Sequence, residues 1–123
     1  MSANKKAIDN AKRLRYVRIL ERFHKSVIAY LSSTQELTFE GYAKKIASNM
    51  KHLERTEQSQ LYKGDLQDLE ELIERMIAYS KSENDIEEIK EDILYRANQL
   101  EKTKNARRYK KEKHASDIYK DWE

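Results

Sequence analysis

Apolar side chains recur along this chain in four stretches at steps of three and four residues, the spacing that gathers them on one face of a helix. From about 9 to 32, Leu14, Val17, Leu20, Val27 and Leu31, widened by Tyr16, Phe23, Ile28 and Tyr30, give a stripe broad enough for a bundle core. From about 39 to 57 the stripe is Phe39, Tyr42, Ala43, Ile46, Met50 and Leu53. From about 66 to 79 it is Leu66, Leu69, Leu72, Ile73, Met76 and Ile77. The fourth, 83–113, carries Ile86, Ile89, Ile93, Ala97 and Leu100 and then loses its apolar face. Residues 1–7 are expected to be a frayed basic lead-in and 114–123 a tail.

The breaks carry helix-start chemistry. Thr38 follows Ser32-Ser33-Thr34, and Gly64-Asp65 gives a turn with Asp65 as the expected N-cap. Ser82 with Asp85 reads as a capping box for the fourth helix. Short connections favour antiparallel neighbours, so the pattern predicts one all-α domain, an antiparallel four-helix bundle with an extended basic C-terminal helix. Wholly helical, 82–113 would measure about 48 Å.

Composition narrows the class. The 123 residues contain no Pro, two Gly and 38% charged side chains, too little turn chemistry for a sheet protein. Cysteine is absent, which removes disulfides, thiolate metal sites and a cysteine nucleophile. No apolar run approaches the roughly 20 residues that span a bilayer, and an intracellular, cytoplasmic protein is expected. Charge is segregated: residues 1–63 hold 13 Lys/Arg against 6 Asp/Glu, 64–101 hold 4 against 12, and 102–123 hold 8 against 4. Such asymmetry points to charged partners.

Two basic features stand out. Past Leu100 come Lys102, Lys104, Arg107, Arg108, Lys110, Lys111 and Lys113, with Tyr109 among them as an aromatic able to stack on a base. On the first helix Arg15, Arg18, Arg22 and Lys25 share the side opposite the apolar stripe. Cations spaced along a helix can follow successive phosphates; the plainer alternative is pairing with acids of the third and fourth helices across the bundle.

Other constellations are weaker. Ala43-Lys44-Lys45-Ile46, then Ala47 and Leu53, loosely resembles the helix-turn-helix of bacterial DNA-reading domains, with Lys51, His52 and Arg55 as contacts, but Ala47 stands where that turn carries Gly. Glu21 and His24 form one Glu-x-x-His pair, half of what a di-iron bundle needs. Glu70/Glu74, Glu83/Glu87 and Glu87/Glu91 are acidic pairs better read as solvated faces. No nucleophile elbow or Gly-rich phosphate loop is present, and no enzyme, cofactor or metal is expected.

The expected function is therefore a small non-enzymatic, regulatory nucleic-acid-binding or nucleoprotein-associated factor, contacting DNA or RNA phosphates through the arm and the Arg15/Arg18/Arg22 ridge. The alternative is a protein-binding inhibitor, immunity factor or adaptor that meets an anionic protein surface or docks through Ile118, Tyr119 and Trp122 of the tail. In size, basicity and expected architecture the chain is similar to the small helical immunity proteins of bacteriocin producers, with no shared motif. Tyr62, Tyr79 and Tyr95 are candidate surface for pairing two chains.

Overall fold

The computed structural model describes residues 2–33 and 35–120, with side chains described for 5–33 and 35–103. It is all-helical: α1 Ser2–Ser33, α2 Phe39–Glu54, α3 Gly64–Ser80 and α4 Ile86–Lys120, with no strand among the described residues. One core joins all four. Tyr16, Val17, Leu20, Phe23, Val27 and Leu31 come from α1, Tyr42 and Ile46 from α2, Leu69, Leu72, Ile73 and Met76 from α3, and Ile89 and Ile93 from α4. α1 packs on each of the other three helices, and α3 packs on α2 and α4.

Several boundaries differ from those the sequence predicts, each for a local reason. α1 begins at Ser2 rather than near residue 9, because nothing in 2–8 opposes a helix already anchored by the packed turns that follow. Leu14, assigned to the core stripe, is 51% exposed, since α1 does not meet the core until Tyr16. α2 stops at Glu54 and is continuous through Ala47, so it contains no helix-turn-helix turn. The N-cap of α3 is Lys63, without a side-chain cap bond, and Asp65 falls inside the first turn. Asp85, not Ser82, caps α4: its Oδ1 accepts from the Glu87 amide at 3.1 Å.

Thr38 behaves as predicted. Its extended backbone (φ −130°, ψ 151°) turns the chain into α2, and its hydroxyl oxygen accepts from the Gly41 amide at 3.0 Å. Gly41 has a second role, because a Cβ there would overlap the Tyr30 hydroxyl. The α2–α3 connection is pinned by Leu61, which is buried in the core, and by Gln67 Nε2 donating to the Leu61 carbonyl at 2.8 Å.

Side-chain hydrogen bonds, one of them fully buried, tie the helices in register. The Tyr42 hydroxyl donates to the Met76 carbonyl at 2.6 Å, joining the start of α2 to the end of α3. Asn49 Nδ2 donates to Ser26 Oγ at 3.1 Å, and the Tyr16 hydroxyl donates to Glu70. On α3 and α4, Asp92 accepts from Tyr79 (2.6 Å), Arg75 (2.7 Å) and Arg96 (3.0 Å).

Candidate nucleic-acid interface

The basic ridge of α1 acquires a second wall in the structure. Lys12, Arg15, Arg18 and Arg22, at helical steps of three and four, face Arg55 and Thr56 at the end of α2, with Ile19 on the floor and Glu57 at the rim. The groove measures about 490 Å³ and gathers five cations against one carboxylate. Packing of α1 on α2 leaves Arg15, Arg18, Arg22 and Arg55 exposed beside one another.

These cations are largely uncompensated. Lys12 pairs with Glu57 at 3.2 Å, both partners substantially exposed. Among the described residues Arg15, Arg18, Arg22 and Arg55 have no side-chain hydrogen bond or ion pair. The plainer alternative, pairing of the ridge with acids of α3 and α4 across the bundle, does not occur among the described residues: Glu70 accepts from Tyr16, and Asp92 is engaged by Arg75 and Arg96. The C-terminal end of the α2 dipole adds at most roughly half a negative charge, which offsets a fraction of one arginine. A concave surface with a net excess of cations and an apolar floor favours a phosphate backbone or another extended polyanion.

Neighbouring Arg13 is not part of this groove. Its Nε donates to the Gln60 carbonyl at 3.3 Å and its guanidinium lies 4.8 Å from the centroid of the Tyr62 ring, so it braces the α2–α3 connection. Tyr62 itself remains 65% exposed. Lys25, on the same side of α1 as Arg22, lines a different groove with Glu21, His24, Ile28, Leu66 and Leu100, also about 490 Å³. His24 is thus a half-buried edge residue beside apolar neighbours, and no group of three His, Asp or Glu able to hold a metal occurs among the described residues.

Around Asp92 the electrostatics are structural. Partial burial raises its carboxyl, but hydrogen bonds from Tyr79, Arg75 and Arg96 together outweigh that and hold it below the usual carboxylate range. The bond to Asp92, with burial second, raises the Tyr79 phenol. Burial first, then the bond to Glu70, raises Tyr16. Tyr79 is therefore half-buried and hydrogen-bonded, whereas Tyr95 is 64% exposed.

Of the residues singled out in the sequence, Arg15, Arg18 and Arg22 are brought together, and Lys102 is exposed on α4. The side chains of Lys104, Arg107, Arg108, Tyr109, Lys110, Lys111, Lys113, Ile118 and Tyr119, and the whole of Trp122, lie outside the described residues. Lys12 joins the ridge by its helical spacing, three residues before Arg15, and Arg55 joins it only through tertiary packing. The signal for Arg55 was its place at the end of a basic turn on α2; nothing local tied it to α1. No protein-family model, curated protein or solved structure matches the chain.

Proposed function

We propose that this protein is a small intracellular, non-enzymatic factor that binds the phosphate backbone of nucleic acid. The observation that supports this most is the groove in which Lys12, Arg15, Arg18, Arg22 and Arg55 converge with Glu57 as the one opposing acid. In this reading the helices form an antiparallel bundle, and the basic stretch 102–113 of the sequence supplies further cations for the same ligand. Binding is mainly electrostatic, because the groove offers a dense cluster of cations suited to phosphate oxygens.

Anisotropy of labelled duplex DNA, single-stranded DNA and RNA, titrated across a salt series, tests it. Five engaged cations give a slope near −0.9 per phosphate on duplex DNA, so a fourfold rise in salt weakens binding by a few hundredfold. Arg15→Gln, Arg18→Gln and Arg22→Gln combined should remove about three phosphates from that slope. Undetectable binding at low salt, with the fold intact by circular dichroism, overturns the reading.

A further inference from the structure

From Lys5 to Ala11 the described side chains of α1 bury nothing. Every residue from Lys5 to Ala11 is exposed, Ile8 at 55%, and the core contribution of the helix starts only at Tyr16. On the helical wheel Ile8 shares a face with Lys12, Arg15, Ile19 and Arg22, four, seven, eleven and fourteen residues further on. This face therefore runs without interruption from a segment clad only in solvent into the floor and wall of the basic groove. From Lys5 to Arg22 it covers about 25 Å of helix axis.

We propose that α1 enters the major groove of double-stranded DNA by these first turns, while Arg15, Arg18, Arg22 and Arg55 grip the phosphates at its edge. The inference rests on the nucleic-acid reading above and commits it to one ligand class. A bare helix about 10–12 Å across fits a B-form major groove about 12 Å wide. The deep, narrow major groove of A-form RNA does not admit it. Single strands are held by aromatic platforms, and the residues lining this groove include none. Ile8, apolar and flanked by Lys5 and Lys12, has the chemistry to meet thymine methyl groups while its neighbours reach phosphate or guanine.

The test compares one mixed-sequence oligonucleotide as duplex DNA, single-stranded DNA and double-stranded RNA. Duplex DNA should bind at least tenfold more tightly than either of the others. Lys5→Gln should weaken duplex binding and lower the salt slope by about one phosphate, at unchanged thermal stability, because its side chain does not pack. Methyl green, which fills the major groove, should displace the protein, and netropsin, which fills the minor groove, should not. Equal affinity for single-stranded DNA or double-stranded RNA, displacement by netropsin alone, or an unaffected Lys5→Gln variant overturns the duplex assignment while leaving phosphate binding intact. Failure to bind any of the three overturns both.

Discussion

Gly41 shows how one missing Cβ can set the joint between two helices. An alanine in an ordinary helix is favoured over glycine by roughly 0.5–1 kcal/mol, but here the added carbon meets the Tyr30 hydroxyl. Gly41→Ala alone should therefore gain nothing or lose stability, and Tyr30→Phe, which removes the obstructing oxygen, should restore the helix gain. Chemical denaturation of the two single variants and the double variant gives the coupling; additive effects would mean that the two sites do not touch. Gly41 lies in the first turn of α2, where helix propensity alone weighs little. Its contact with Tyr30 is set by how α1 and α2 pack, which no local pattern encodes. Leu14 is the converse: its spacing matched the stripe, yet a periodic position is buried only where a neighbour is present to cover it.

At the scale of elements, the α3–α4 pair is clasped by Asp92 with Tyr79, Arg75 and Arg96. Asp92→Ala strands the Tyr79 hydroxyl and leaves two guanidiniums unpaired, and should cost about 1–3 kcal/mol, read as a lowered midpoint in urea. The folded chain holds this carboxyl below the unfolded value of about 3.9, so the unfolded state binds its proton more strongly. The contribution of Asp92 is accordingly complete above about pH 4 and fades as pH falls through the folded value. Melting temperatures from pH 6 down to pH 2.5 should show an acid-side loss that is smaller in Asp92→Asn; equal acid losses in both proteins would remove Asp92 as the titrating group. Four helices, with most of their buried faces, were legible because a 3.6-residue period survives any arrangement of neighbours. Their ends were less so. A capping box and a single Asp cap differ by three residues in where α4 starts, and Ser82, Asn84 and Asp85 are all competent to compete for the role.

For the molecule as a whole, the described core contacts stop short of both ends of the chain. The last described residue packed against the core is Leu100, and the first buried one is Tyr16. A chain ending at Thr103 should thus unfold cooperatively, with a melting temperature within a few degrees of the full protein, and so should one lacking residues 2–8; a large drop in either would place core contacts in the removed segment. The Arg15, Arg18 and Arg22 half of the candidate interface was visible as a wheel pattern. The Arg55 half was not, because forty residues of chain separate it from Arg15 and only the packing of α1 against α2 closes that gap.

The exposed opening turns of α1 also separate two demands that most binding proteins must meet with the same side chains. Substitutions at 5–11 disturb no packed neighbour, so variants can accumulate there while the folded body stays as it is. On the proposed duplex-binding reading, such a segment is an interchangeable address label. Grafting a different exposed helical heptad onto Tyr16 would redirect the same four-helix body to a new target, with the phosphate grip of the arginines unchanged.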